Sequence, residues 1–440
     1  MRVIHLLRKF DPAEWGGTET AVQRLFDGLR QHDVTPVMFC PYVNDHGTRP
    51  TTTVSGNQNV RADHNRWAPS ESPNENNGDI KRFKTCVPTW GISRQEKRQF
   101  IALGGNLISF DLLPALWREP DVALVHTHTL GRLGGIASAV ARGRGLPFVV
   151  SIHGGLLDVP PALKTTFDGP SRRSFDWGKL FGLLFQSRRL IHHADAVLAC
   201  NLTEAELLRK NYPGKRIVVQ PHGIHTGPYQ QDHRAAARAE FPQIRDRDVL
   251  LCAGRIDPVK NQMWLIAQAP QIFRNHPKAL LVLAGACTNE AYGQDLANQI
   301  RDLGIGHRVL LTGGLPPGDP RLIGLIQESR AVLLPSISET FGLVLLEAWA
   351  GGTTVISSRT SGASALIQDG ENGWLFDLSD LRAFHQAVSV TLGNPGFRTS
   401  LAESGRELVN SKYDVMSVAG RVKQLYTELI EEKHALCHSA

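Results

Sequence analysis

No Cys-x-x-Cys pair occurs in this chain. Its six cysteines, Cys40, Cys86, Cys200, Cys252, Cys287 and Cys437, are scattered, so neither a disulfide framework nor a cysteine-ligated zinc site is indicated. That usage fits a reducing cytoplasm. No apolar run approaches the length of a transmembrane helix. The opening residues, MRVIHLLRKF, hold too short an apolar run for a signal peptide and read as a first strand. There is no basic arm, zinc-finger spacing or RNP-like motif, which argues against a nucleic-acid partner. A G-x-G-x-x-G after an early strand is missing too. Gly143-Arg144-Gly145 lacks the third glycine and precedes a strand, which argues against a nicotinamide dehydrogenase. What remains is a mild basic excess, a net charge of +6 with a pI near 9.0. It suits a phosphate-rich ligand or an anionic membrane face.

The 440 residues suggest two or three domains with ample core. Strand-like and helix-like segments alternate throughout, the pattern of a parallel-sheet α/β protein. Val3–Leu7 reads as a strand, the loop to Gly16-Gly17-Thr18-Glu19 as a turn, and Thr20–Arg30 as a helix. A strand, a glycine-rich loop and a helix let a backbone approach phosphate. Residues 46–78 are rich in Asn, Ser, Pro, Thr and Arg and read as a long exposed insertion. Strand character resumes over Arg82–Trp90. Asp121–Thr127 reads as a strand, and His126 and His128, two apart, share a face if extended. That spacing can serve a metal, but no third ligand is evident. Pro147–His153 is the next strand, which puts His153 at a carboxyl end with Gly154 after it.

Ser171–Arg189 has two readings. Trp177, Leu180, Phe181, Leu184 and Phe185 fall on one helical stripe with arginines at both ends. The stripe either faces the core or touches a membrane surface. Thr203 and Glu206 have capping-box spacing at the next helix. In the second half, strand Asp248–Ala253 leads into Gly254-Arg255 and then Asp257-Pro258-Val259-Lys260-Asn261. Two cations thus stand at the carboxyl end of a strand, where a diphosphate fits. Asp246-Arg247-Asp248 is a literal Asp-x-Asp match, but it precedes the strand, and it reads as a solvated turn.

The rest of the chain is organised around Ala331–Gly352, AVLLPSISETFGLVLLEAWAGG. Its opening run reads as a buried strand ended by Pro335-Ser336. A helix starts near Phe341-Gly342 and is apolar on nearly every side, hence buried. Glu347 lies within it, so it must reach a cation, a hydroxyl or a ligand. Glu339 lies in the preceding loop at the sheet edge where ligands bind. The amides of Thr340–Leu343 suit an anion.

Glu339 and Glu347, as E-x(7)-E within E-T-F-G-L-V-L-L-E-A, resemble the retaining glycosyltransferases of family four. The G-R-x(4)-K of Arg255 and Lys260, the early Gly16-Gly17, the His153-Gly154 pair and Pro221-His222-Gly223 add to the likeness. The last of these departs from the family's P-N-G-V-D hinge, with His222 and His225 replacing Asn and Asp. The resemblance implies a GT-B fold: two Rossmann-like parallel-sheet domains facing each other across a cleft. The expected divisions are 1–220, 221–395, and a C-terminal segment 396–440 packing back on the first domain. The resemblance further implies a nucleotide-diphosphate sugar as donor and a glycan, lipid-linked or small-molecule hydroxyl as acceptor. In that scheme Glu347 binds the ribose and Glu339 the donor sugar. Arg255 and Lys260 stabilise the leaving diphosphate. Gly254, Thr340, Phe341, Gly342 and Leu343 support sugar and phosphate, Leu315 lies by the base, and His153 and Gly17 line the facing wall. No metal and no cofactor are expected. A nucleotide-sugar epimerase and a non-catalytic sugar-binding module are the rivals. The paired acids and basic pair argue against the first, and the complete set Arg255, Lys260, Glu339 and Glu347 against the second. The location implied is cytoplasmic, with the inner membrane face as the site of any peripheral contact.

Overall fold

The computed structural model describes residues 1–10, 16–42, 80–91, 107–154 and 175–438; the expected insertion 46–78 lies outside them. Two parallel sheets carry the architecture. The first comprises β1 (Arg2–Leu6), β2 (Thr35–Pro41), β3 (Ile80–Phe83), β4 (Val122–Thr127), β5 (Phe148–Ile152), β6 (Ala196–Ala199) and β7 (Ile217–Val219). Its order is β3-β2-β1-β4-β5-β6-β7. The second comprises β8 (Asp248–Ala253), β9 (Ala279–Ala284), β10 (Val309–Gly313), β11 (Ser329–Leu334), β12 (Thr354–Ser358) and β13 (Trp374–Phe376). Its order is β10-β9-β8-β11-β12-β13. Runs such as ALLVLA in β9 are buried along their length, because helices cover both faces of a parallel sheet.

Side-chain alternation sorts the cores. On one face of the first sheet, Val3, Leu124, Val149 and Leu198 meet Leu29 of α1 (Gly17–Gln31) and Val422 and Leu429 of the C-terminal helix Val415–His438. On the other, Ile4, Val125 and Val150 meet Leu133, Ile136 and Val140 of α2 (Gly131–Gly143). A short helix, α3 (Lys179–Leu184), lies beside α2. In the second sheet, Leu251, Val282 and Val332 pack on Leu345, Leu346 and Trp349 of α4 (Leu343–Ala350). Helix α5 (Pro395–Leu408) closes on α4 so tightly that a Cβ at Gly405 would stand 2.1 Å from the Trp349 ring. The chain then exchanges backbone hydrogen bonds at Ile224, with Tyr413 and Val415, and α6 (Val415–His438) returns to the first sheet.

Three local expectations need correction. Arg82–Trp90 is not one strand. β3 ends at Phe83, and Thr89–Trp90 pairs separately with Phe175–Asp176 in an antiparallel ribbon. The helix cap near 203 is Asn201, whose side chain accepts from the Glu204 amide. The core-facing stripe over Ser171–Arg189 fails within its described part. Gln186 adopts a left-handed φ of 49° that ends the helix, and α3 buries none of its residues.

Candidate active site

Each sheet reverses its strand order once, between β1 and β4 and between β8 and β11. A crevice opens outside the carboxyl ends at such a point. After β8 the backbone passes β9 so closely that a Cβ at Gly285 would meet the Gly254 carbonyl at 1.9 Å. Gly254 itself has φ 144°, a conformation open to glycine. The loop that follows is built around Asp257. Its Oδ1 accepts from the amides of Val259 and Lys260 at 3.0 Å each, and its Oδ2 lies 3.3 Å from Arg255 Nη2. The Lys260 stem runs over Gly254, and its Nζ donates to Glu339 Oε2 at 2.5 Å.

The loop after β11 carries Glu339. Its carbonyl accepts from the Gly362 amide at 2.7 Å, and Ile337 N donates to Val259 O at 2.8 Å. The two loops of the second sheet are therefore tied into one unit. Gly342 caps α4 with φ 92°, and the first amides of a helix have no intrahelical acceptor. Arg255, Lys260 and Glu339 thus stand together beside the start of α4. Leu315, after β10, packs at the edge of the α4-side core.

The first half meets this unit directly. Thr340 Oγ1 donates to the His153 carbonyl at 3.1 Å, and Asn201 Nδ2 to the Thr340 carbonyl at 2.6 Å. Gly154, with φ 91°, lies so near that a Cβ there would sit 2.2 Å from Thr340 Cβ. A Cβ at Gly17 would come to 3.9 Å from Leu343 Cδ1. Phe341 lies edge-on to His222, centroids 4.8 Å apart. The cation that buried Glu347 requires is Arg24 of α1, with Nη2 2.6 Å from Oε1 and both side chains nearly inaccessible. Sequence reasoning could name the need but not the partner. It likewise missed Asn201 and the anchoring role of Asp257. Breaking a buried pair from one side typically costs about 3–5 kcal/mol. Arg24→Ala should therefore lower the urea midpoint markedly, and Glu347→Gln added to it should recover part of the loss. An Arg24→Ala protein that unfolds with wild type would show that the pair contributes nothing.

β1 supplies the third histidine that the sequence did not reveal. His5 pairs in register with His126, and alternation puts His5, His126, His128, Ser151 and His153 on the face covered by α1 and α6. Ligand atoms of His5, His126 and His128 all lie within 4.8 Å of one another. The rings are hydrogen-bonded among themselves and to hydroxyls. His5 Nδ1 meets His128 Nε2 at 2.9 Å, and His128 Nδ1 meets His153 Nε2 at 2.9 Å. Both nitrogens of His126 are engaged, by the Tyr426 hydroxyl at 2.5 Å and the Ser151 hydroxyl at 2.7 Å. His222 stacks on His153 at 5.2 Å. His126 thus stacks beside His5 and His128 while hydroxyls hold it on both sides. Burial, and then the neighbouring rings, hold His5, His126 and His128 well below the ordinary histidine pKa. Burial brings His153 to about 4.

The model of the Glycosyl transferases group 1 family matches residues 234–408, and that of the Glycosyl transferase 4-like domain matches residues 16–223. The chain is 32% identical over 317 residues to a D-inositol 3-phosphate glycosyltransferase of Nocardia farcinica, covering 70% of this chain and 63% of that protein. For the same enzyme of Acidothermus cellulolyticus the identity is 30%, with 62% of that protein covered, so these matches span less than two thirds of those relatives. A glycogen synthase of Mycobacterium tuberculosis is 26% identical, with 97% of this chain and 94% of that protein covered. Among solved structures, Anabaena HepE in complex with UDP and glucose superposes with a TM-score of 0.68 at 17% identity, covering 97% of this chain and all of that one (100%). Sucrose-phosphate synthase of Thermosynechococcus elongatus gives 0.69 at 20%, covering 98% and 99%. At such identities the shared property is the fold, two parallel-sheet domains of the GT-B kind.

Proposed function

This chain belongs to the group 1 glycosyl transferases, and from that premise we propose that it moves a sugar from a nucleotide-diphosphate donor to a hydroxyl acceptor with retention of anomeric configuration. The observation that carries the reading is the Lys260–Glu339 pair beside Arg255 and the start of α4, at the strand-order reversal of the second sheet. Anomeric carbon and diphosphate need an acid for sugar hydroxyls and cations for growing phosphate charge, side by side. Glu339 supplies the first and Arg255 and Lys260 the second, with Gly254, Thr340, Phe341, Gly342 and Leu343 framing the pocket by backbone. Glu347 binds the ribose, Leu315 borders the base, and His153 and Gly17 form the acceptor-side wall. UDP in the Anabaena structure favours a uridine donor as the first to try.

In the reaction the bond from the anomeric carbon to the diphosphate oxygen breaks through an oxocarbenium-like state. The acceptor oxygen bonds to the same face, and its proton passes to the departing phosphate oxygen. An NMR time course with UDP-glucose tests the stereochemistry. The expected first product keeps the donor's α configuration, and a β product overturns the retaining assignment. Glu339→Gln should lose most turnover with near-normal UDP binding, because it weakens charge-assisted hydrogen bonds to the sugar. Glu347→Ala should instead weaken UDP binding itself by calorimetry. Unchanged affinity in a folded Glu347→Ala protein would remove its ribose role.

A further inference from the structure

Helix α3 presents its apolar residues to solvent. Leu180, Leu183 and Leu184 are 75%, 77% and 71% exposed. Their i, i+3, i+4 spacing puts them on one face. Phe181 and Gly178, beside that face, hold the helix in place. The Phe181 ring stands edge-on to Phe110 at 5.2 Å, and Gly178 is pressed between Pro88 and Arg132. Asp176 fixes the entry, accepting from the Gly178 amide at 3.0 Å and from Arg132 at 2.5 Å. The outward leucines are thus a feature of an anchored helix. Phe110 and Trp90 are also more than half exposed, Phe110 beside Phe181 and Trp90 on the ribbon whose other strand leads into α3. No helix among the described residues is long and apolar enough to cross a membrane, so this surface is a candidate for docking and not for spanning.

Charge selects the partner. Lys179, Arg188 and Arg189 flank the leucines and are exposed. From Trp177 to Ala194 the sequence contains no acidic residue, and Asp176 just before it is already paired with Arg132. An apolar face rimmed by cations matches the boundary between acyl chains and anionic headgroups. A protein partner would call for hydrogen-bonding side chains among the apolar ones, and α3 offers none on that face. We propose that α3 docks the first domain onto an anionic lipid bilayer, with Leu180, Leu183 and Leu184 in the interface and Lys179, Arg188 and Arg189 on lipid phosphates. The packing of α3 against α2, whose start follows the carboxyl end of β4, brings the membrane to the acceptor side of the crevice. The docking itself does not depend on the transfer reading.

Vesicle co-sedimentation of the full chain tests this. Binding is expected to phosphatidylcholine vesicles containing phosphatidylglycerol, with little to phosphatidylcholine alone, and it should weaken with salt. Leu180→Gln/Leu183→Gln/Leu184→Gln should abolish it while the circular-dichroism melt is unchanged, since these side chains are already in water. Arg188→Ala/Arg189→Ala should weaken it roughly tenfold or more. Absence of binding to the anionic vesicles, or retention of binding by the triple variant, overturns the proposal. So does a concentration-dependent dimer in ultracentrifugation that the triple variant loses, because the face would then be occupied by a second copy.

Discussion

Lys260→Ala and Arg255→Ala should each slow turnover by roughly a hundred- to thousandfold, the usual effect of removing one contact to developing charge. A diphosphate leaving group gains negative charge in the transition state, and either a metal or protein groups must neutralise it. Here two cations sit on a loop fixed by Asp257, beside the start of α4. Lys260 is also held against Glu339, so its loss leaves that carboxylate without its partner. A thermal melt of each variant separates a stability defect from a rate defect, and Lys260→Met, which keeps the stem over Gly254, should be as slow as Lys260→Ala. The Asp-x-Asp match offers a direct contrast. Asp246 has a left-handed φ of 57°, and Asp248 is paired with Arg330 at 3.0 Å at the amino end of β8. Asp246→Ala and Asp248→Ala should be nearly silent, and activity should survive EDTA. Loss of activity in EDTA with rescue by manganese, together with an inactive Asp248→Ala, would overturn metal independence.

Much of the fold was legible because a parallel sheet writes itself as short apolar runs between turn residues. Val3–Leu7, Pro147–His153 and Asp248–Ala253 match β1, β5 and β8 to within a residue at each end. The gathering of Arg255, Lys260 and Glu339 followed from each lying at a strand's carboxyl end. Pairings across the two halves were not legible. Arg24 and Glu347 are 323 positions apart, and a buried acid states only that some cation must come. α3 shows a different limit. Leucines at i, i+3 and i+4 make the same pattern whether they face a core or solvent, and only the placement of Phe181 and Gly178 against Phe110 and Arg132 decides. His5 was a lone strand histidine until the β1–β4 register set it beside His126.

That register has a consequence in acid. His5 and His126, buried, and His128, His153 and His222, half-buried, form one stack, and loss of solvation lowers the pKa of each, with neighbouring rings adding to the effect in all but His153. In the unfolded chain each would titrate near 6.5. As pH falls below that value the unfolded state takes up protons that the folded state refuses, so stability falls with pH. The contribution is complete above 6.5 and is lost as pH descends, for His153 down to its folded pKa of about 4. That shift alone corresponds to roughly 3 kcal/mol. Each of the others adds a slope of up to about 1.4 kcal/mol per pH unit over its own window. The urea midpoint should therefore drop steeply between pH 6.5 and 5, above the range in which ordinary carboxylates titrate. His5→Gln removes one such proton uptake and should make the slope shallower, although losing the bond to His128 lowers stability at pH 7. The crevice should loosen along with the fold, because the His153 carbonyl holds Thr340 and the His222 ring packs on Phe341. A midpoint that stays level from pH 7 to 5, or a His5→Gln protein with an unchanged slope, would show that the stack is not what fails in acid.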